Sequence, residues 1–359
     1  MELTVEKNVH GFCELPFTKA KISSDGHVSM CCHQSHDGYL GNLFEKTFEE
    51  IWFGSLAEEI RIQNKDARLH RVCDTSECPY KYKKVVEHMH DFEANSRGYP
   101  THIEFDLHGS HCNFGGTDLL IERVCLMCPR SQKDFKEHLE KNPDRTDELV
   151  DKIKHLIIHI KIINILGVAE PFWKDKIFDI LNKFNIKENK NRISVWTTSN
   201  ASIFNEDRQD KLLDLTDKTD IHFSLDAATR ETFLKIRKND CFEICCKNIK
   251  SWREKTKEIN KLSGKNHYIR LHNNINTINV NEVTDMVFLA KDMGIDLLVL
   301  LPTHDCGGTH SDLNNILVNK ENYSLFIKAQ ESAEFIADKI GQKILFSRPL
   351  DLNISKNEI

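Results

Sequence analysis

Three cysteines, Cys112, Cys125 and Cys128, fall within the stretch HCNFGGTDLLIERVCLMCPR. A structural zinc site takes four protein ligands and leaves no open position. Three thiolates on a four-iron cluster leave one iron free for a substrate or cofactor. The number of ligands therefore points to iron–sulfur chemistry at an open iron. The segment Thr101 to Leu107 alternates in polarity and reads as a strand, which puts the cysteines on the loop at its carboxyl end. In α/β folds that edge is where chemistry is placed.

A second set lies closer to the N-terminus: Cys13, the vicinal pair Cys31 and Cys32, Cys73 and Cys78. Four thiolates can converge from Cys13, one of the pair, Cys73 and Cys78. On spacing alone they fit either a zinc knot that folds a small module with little apolar core, or an iron–sulfur site. His33 and His36 are further zinc donors or solvated loop residues. Cys241, Cys245 and Cys246 share an amphipathic helical pattern with Phe242, Ile249 and Trp252 and read as packing residues.

The elements around the first set alternate. Strand-like IINIL is followed by Gly167 to Pro171, then helix KDKIFDILNKF, strand ISVWTTS, helix DRQDKLLDL and strand IHFSLD. Helices ATRETFLKIRK and Cys241 to Leu262 precede strand YIRLHNNIN, and helix NEVTDMVFLAKDMG leads to strand IDLLVLLP. Six βα units in this order predict a parallel sheet with helices outside, an α/β partial barrel of (β/α)6 type. The helical pattern TDELVDKIKHLIIHI puts Leu149, Ile153, Leu156, Ile157 and Ile160 on one side. The early module predicts a hairpin, Ala20 to Ser23 and His27 to Met30, about Asp25-Gly26. One helix, TFEEIWFGSLAEEIRIQ, then follows with Thr47 as its N-cap. The expected division is 1–97 for the cysteine-rich module, 98–320 for the barrel, and 321–359 for a last helix (Tyr323 to Ile340) and strand (Ile344 to Phe346).

Composition limits the partners. With 359 residues, 40% apolar, 29% charged and a formal net charge of −6, the chain has no bulk attraction for a nucleic-acid backbone. No apolar run approaches the roughly 20 residues that span a bilayer, so no membrane association is expected. MELTVEKNVHGF lacks the basic start and apolar core of a secretion signal. Twelve cysteines without such a signal point to metal ligation in a reducing compartment, and so to the cytoplasm.

Two stretches carry a resemblance. CELPFTKAKISSDGHVSMCC, then LGNLFEKTFEEIWFGSLAEEIR and a late cysteine pair, resemble the SPASM or twitch auxiliary-cluster module of radical S-adenosylmethionine enzymes. The resemblance implies one auxiliary [4Fe–4S] cluster on the early cysteines, in a module that here precedes the barrel. The barrel resembles the catalytic core of the same superfamily. That implies a [4Fe–4S] cluster on Cys112, Cys125 and Cys128, and S-adenosylmethionine at its open iron. By the same resemblance Gly167 to Pro171 stands for the glycine-glycine-glutamate-proline motif, with Glu170 accepting from the cofactor's amino group. Thr198 and Asn200 stand for the threonine-asparagine-glycine strand end. Ser224 and Asp226 would approach the ribose, and Arg237 would hold the carboxylate. Twelve residues separate Cys112 from Cys125 where the family has three; lengthening a loop costs only about 0.6 kcal/mol per doubling.

The implied activity is reductive cleavage of S-adenosylmethionine to a 5′-deoxyadenosyl radical that takes hydrogen from a substrate. An auxiliary cluster that accepts the second electron gives dehydrogenation or a crosslink, while a thiol that returns hydrogen gives epimerisation. Cys306, in THDCGGTH, is the thiol at the active edge, or else a loop cysteine beside a turn. Arg270 and His272 alternate onto one face beside Asn273 and point to the pocket, or else serve core packing or a salt bridge. His304, Asp305 and His310 face either substrate or water. The expected substrate is a polyol, sugar or amino-acid derivative. The alternatives are a ribosomally made peptide and, without catalysis, a metal-stabilised binding protein. Met1 to Val9 is too short for a leader-binding domain, which weighs against the peptide. A flavodoxin- or ferredoxin-type protein would supply electrons.

Overall fold

The computed structural model describes residues 13–31, 38–66, 68–73, 98–116, 119–132, 134–303, 316–319 and 321–346. Its contacts divide the chain into two compact units, Met1–Asp106 with Arg145–Asn164, and Leu107–Asp144 with Ile165–Ile359. The division differs from a cut at residue 97, because the first barrel strand pairs with the cysteine-rich module.

In the first unit, α1 (Leu15–Thr18) leads into β1 (Lys19–Ile22), which pairs antiparallel with β2 (His27–Ser29). β2 pairs in turn with β3 (Gly41–Asn42), and β1 pairs parallel with β4 (His102–Asp106). The expected hairpin is present, but its connection is longer than a two-residue turn. Gly26 donates to the Ser23 carbonyl, Ser23 donates to the His27 carbonyl, and Gly26 sits at φ 87°. A turn closed by a left-handed glycine matches the strand twist. Ala20, Ile22, Val28, Ile103 and Phe105 fill one face. On the other, Lys19 pairs with Glu104 and Lys21 with Asp106.

The single helix expected after Thr47 is two, α2 (Phe48–Trp52) and α3 (Ser55–Lys65). Thr47 caps the first with a complete capping box. Gly54 breaks the run in an extended conformation. Buried Arg61 of α3 then donates to the Trp52 carbonyl at 2.9 Å and stacks on the Trp52 ring, so the freed carbonyl keeps a partner. The pattern from Thr146 is likewise shorter than expected: α5 (Thr146–Ile153) gives way to a 3₁₀ turn over Lys154–Ile158. β5 (Ile162–Leu166) begins in this unit and ends in the other.

The second unit holds α4 (Phe135–Lys141) and then α6 (Lys176–Lys183), β6 (Ser194–Ser199), α7 (Glu206–Leu215), β7 (Lys218–Ser224), α8 (Arg230–Arg237), α9 (Phe242–Ile259), β8 (Asn266–Ile275), α10 (Val283–Asp292), β9 (Leu297–Pro302), α11 (Tyr323–Ile340) and β10 (Ile344–Phe346). β6 to β10 lie side by side in chain order, each neighbour parallel. Helices join all of them, as parallel pairing requires. The α/β class with a parallel sheet and a cysteine-rich module is as expected, and β10 extends the sheet beyond six strands. β8 alternates strictly: His267, Ile269, Leu271, Asn273 and Ile275 are buried, while Tyr268, Arg270, His272 and Asn274 share the other face. That face, with the carboxyl ends of the strands, positions the candidate site.

Candidate functional site

Cys112, Cys125, Cys128, Gly167, Glu170, Thr198, Asn200, Ser224, Asp226 and Arg237 line one cavity of ≈ 220 Å³ in the second unit. They come from four separate stretches of sequence that meet at the carboxyl edge. Every barrel residue assigned to cluster or cofactor is therefore brought to the same place. Phe114, Met127, Val168, Ala169, Ser199 and Asn274 complete the lining.

The loop that carries the cysteines is ordered by Arg130. Its guanidinium, 1% exposed, donates to the Phe114 carbonyl at 2.6 Å and to the Gly116 carbonyl at 3.2 Å. Gly115 and Gly116 adopt φ of 83° and 64°, and a Cβ on Gly115 would lie 2.7 Å from Val124. The two glycines thus fold the long insertion back so that its ends reach one cavity. Cys128 donates its N–H to the Cys125 carbonyl at 3.0 Å, and Leu126 donates to the Ile236 carbonyl at 2.8 Å.

Burial pushes the Cys112 thiol up to about 12 and Cys128 to about 11, and raises Cys125, while the Arg130 charge works in the opposite sense. As free thiols they hold their protons at neutral pH, so a metal must displace those protons to bind. No three His, Cys, Asp or Glu side chains among the described residues group closely enough for a single metal ion. Three thiols lining one cavity are a donor set that fits an iron–sulfur cluster.

Glu170 is 1% exposed. Its carboxylate accepts from the Ser199 hydroxyl at 2.8 Å, the Asn200 N–H at 2.6 Å and the Phe172 N–H at 3.3 Å. Burial nevertheless pushes it up to about 7. Gly167, at φ 120°, turns the chain there as only glycine does without strain. Asp226, wholly buried, pairs with Arg237 and accepts from the Asn274 backbone N–H at 2.8 Å. Arg237 also reaches Cys125 Sγ at 3.7 Å. Burial works to lower the guanidinium's pKa, but the Asp226 carboxylate and the Cys125 thiol hold it above its ordinary value. Arg237 and Asp226 thus form one ion pair beside a cluster cysteine.

Arg270 and His272 share the face of Asn274, but neither lines the cavity. Arg270 is bound to Asp220 by contacts of 2.6 to 3.1 Å, the salt-bridge alternative of the sequence reading. His272 is the register partner of the lining residue Ser224, and its ring stands 4.6 Å from that of His222. Burial pushes His272 down to about 3, so the imidazole is neutral. Asn273 faces the other way, donating to the Leu225 carbonyl at 3.1 Å. Carrying the alternation of Arg270 and His272 two residues further would have found Asn274 in its place. Ser199 was missed because on β6 it alternates away from Thr198, and Arg130 because no local signal marks a buried arginine.

Of the early cysteines, Cys13, Cys31 and Cys73 are described, each half-buried. The Asn64 side chain of α3 accepts from the Cys13 N–H at 3.2 Å. The register of β1 with β2 brings Cys31 out at the end where β1 begins. Cys32, Cys78 and Cys306 lie outside the described residues, as do His33, His36, His304, Asp305 and His310.

Residues 13–79 match the SPASM family, an iron–sulfur cluster-binding domain. The matched stretch covers the hairpin and Cys13, Cys31, Cys32, Cys73 and Cys78. No curated protein sequence matches the chain. Among solved structures, SuiB of Streptococcus suis is similar at 14% identity and TM-score 0.49, over 86% of this chain and 65% of that one. Native anSMEcpe with bound AdoMet is similar at 16% identity and TM-score 0.45, over 69% of this chain and 64% of that one. A radical SAM methyltransferase from Sphaerobacter thermophilus is similar at 11% identity and TM-score 0.40, over 65% of each chain. The chain spans slightly less than two thirds of the length of each. No helix among the described residues is long and apolar enough to cross a membrane.

Proposed function

We propose that this chain is a radical S-adenosylmethionine enzyme with an auxiliary iron–sulfur module. The observation that carries the reading is the single cavity lined by Cys112, Cys125, Cys128, Glu170, Ser224, Asp226, Arg237 and Asn274. The three cysteines would hold a [4Fe–4S] cluster by three corners. When bound, that cluster supplies the electron that cleaves S-adenosylmethionine to methionine and a 5′-deoxyadenosyl radical.

The chain's own residues bind and orient. Glu170, held by Ser199 and Asn200, offers a carboxylate to the cofactor's ammonium. Thr198, Ser224 and Asn274 offer hydroxyl and amide groups to its ribose, and Arg237 faces its carboxylate across the Asp226 pair. Burial of Glu170, Asp226 and Cys125 keeps water from the reacting atoms, where positioning does most of the work. The neutral His272, next to Ser224 in register, is the nearest candidate for substrate contact, with Arg270 behind it.

The Cys13, Cys31 or Cys32, Cys73 and Cys78 set would hold a second [4Fe–4S] cluster that takes the second electron. The substrate in this reading is a small polyol, sugar or amino-acid derivative that is dehydrogenated or epimerised, with Cys306 as the hydrogen donor in the second case. A flavodoxin- or ferredoxin-type donor would reduce the enzyme in the cytoplasm. A ribosomally made peptide is the second reading; SuiB, a similar structure, is known bound to precursor peptide SuiA.

Anaerobically reconstituted protein, given dithionite and S-adenosylmethionine, should release 5′-deoxyadenosine. Iron-loaded protein that makes none would leave the binding-protein alternative in its place.

A further inference from the structure

The turn after β6 is held from behind by α9. Ala201 sits at φ 63°, in the left-handed region that a residue with a side chain seldom adopts. Two consecutive carbonyls of this turn accept from α9: Asn200 O from the Cys245 thiol at 3.1 Å, and Ala201 O from the Asn248 amide at 2.7 Å. The same turn presents the Asn200 N–H to Glu170. A continuous path therefore runs from Cys245 through Asn200 to the carboxylate of the cofactor cavity.

Cys245 has a companion. Cys241 is the N-cap of α9, with non-helical φ −134° and ψ 19°, and its carbonyl accepts the first helical bond, from the Cys245 N–H at 2.9 Å. Its sulfur stands 3.9 Å from that of Cys245. Residues one turn apart have Cα atoms about 6 Å apart, within the span of roughly 4.4–6.8 Å that a disulfide bridges. Cys241 is half-buried and Cys245 fully buried, so an external reagent meets Cys241 first. With the single Cys245 proton on the Asn200 carbonyl, it is the Arg237 charge that favours the Cys241 thiolate, against burial. Burial pushes neighbouring Cys246 up to about 11 and Cys245 is raised further, so of the three Cys241 is the thiol that ionises first.

We propose that Cys241 and Cys245 are a redox-active dithiol, a modification site that closes by exchange with a low-molecular-weight disulfide and so frees the Asn200 turn that holds Glu170. Cys241 as thiolate attacks the incoming disulfide and releases one thiol, leaving a mixed disulfide. The Cys245 sulfur then displaces the second thiol. One external S–S bond is broken and one internal S–S bond formed; the two protons lost by the protein sulfurs end on the two released thiols. The closed pair has no S–H left to donate to Asn200.

The effect on cofactor binding rests on the proposed function; disulfide formation and the freeing of the turn do not. Reconstituted full-length protein is treated anaerobically with oxidised glutathione, alkylated and digested with trypsin. The peptide Asn239 to Lys247 should be two hydrogens lighter with one alkylated cysteine, Cys246. Amide exchange over residues 199–202 should quicken about five- to tenfold, the loss of one neutral hydrogen bond. Dithiothreitol should reverse both changes, and Cys241→Ser, which keeps the Cys245 donor, should show neither. An unlinked peptide, a link through Cys246, or equal quickening in Cys241→Ser would each overturn the proposal. Affinity for S-adenosylmethionine, measured on the reduced protein alone, judges the functional reading separately.

Discussion

Replacing Glu170 by Gln should invert the usual cost of altering a buried, hydrogen-bonded side chain, and should do so as a function of pH. In the folded protein burial pushes Glu170 up to about 7 from an ordinary 4.5. Between these values the folded chain keeps a proton that the unfolded chain has lost. The group's contribution is therefore most favourable below about pH 4.5, falls as pH rises, and is flat above about 7. At roughly 1.4 kcal/mol for each pH unit, the full loss is about 3 kcal/mol. A carboxamide resembles the protonated acid: its oxygen can accept from Asn200, and the Ser199 hydroxyl can turn to accept from its NH₂. Glutamine cannot ionise, so it escapes the loss.

The assay is urea unfolding of metal-free wild type and Glu170→Gln, followed by tryptophan fluorescence at pH 5 and pH 8. Any fixed cost of the second amide hydrogen cancels between the two pH values. So does the titration of groups common to both chains. The stability difference should move toward the variant by about 2–3 kcal/mol from pH 5 to pH 8. A difference constant to within about 0.5 kcal/mol would refute the reasoning, because Glu170 would then be as well solvated folded as unfolded. In the reconstituted protein the same carboxylate should weaken S-adenosylmethionine binding in wild type as pH falls below about 7. Binding by Glu170→Gln should be weak and insensitive to pH.

Arg130→Met removes two charge-assisted hydrogen bonds to the Phe114 and Gly116 carbonyls. It should cost about 3–5 kcal/mol in urea unfolding and lower iron and sulfide per chain after reconstitution. Asp226→Asn leaves the Arg237 guanidinium buried without its counter-charge; thermal unfolding should report a loss of about 3–5 kcal/mol, and a smaller effect than the surface-pair range of about 1 kcal/mol would mean the pair is solvated. Thr47→Ala breaks the capping box of α2 and should destabilise by about 1 kcal/mol in the same measurement, without altering iron content at Cys112, Cys125 and Cys128.

Much of the site was legible because its chemistry rides on strand ends. The resemblance to the radical S-adenosylmethionine core singled out Thr198, Asn200, Ser224 and Asp226 at the ends of ISVWTTS and IHFSLD, and all four reach the cavity. Glu170 was legible through the same resemblance, in the stretch Gly167 to Pro171. Its partners were not, because Ser199 and the Asn200 N–H arrive from another strand. The helices misjudged in length fail for local reasons: an apolar pattern continues across Gly54 and past Ile153, while the backbone does not. Cys245 shows the same limit at a side chain. It packs as a buried apolar residue, as its helical pattern implies, and also donates to Asn200. Sequence spacing shows that it faces inward but not which carbonyl waits there.

The insertion between Cys112 and Cys125 is the most instructive case, because its length alone would loosen a cluster loop. Chain entropy rises only slowly with loop length, so the penalty is modest even without structure. The structure reduces it further by spending one buried charge on the loop's own carbonyls. Arg130 follows Cys128 by two residues, so the side chain that pins the insertion is fixed to the same short turn as the last ligand. Loop shape and ligand placement are then one variable. If Arg130→Met lost stability yet bound iron as well as wild type, the two would be separable, and the cysteines would owe their convergence to the strand edge alone.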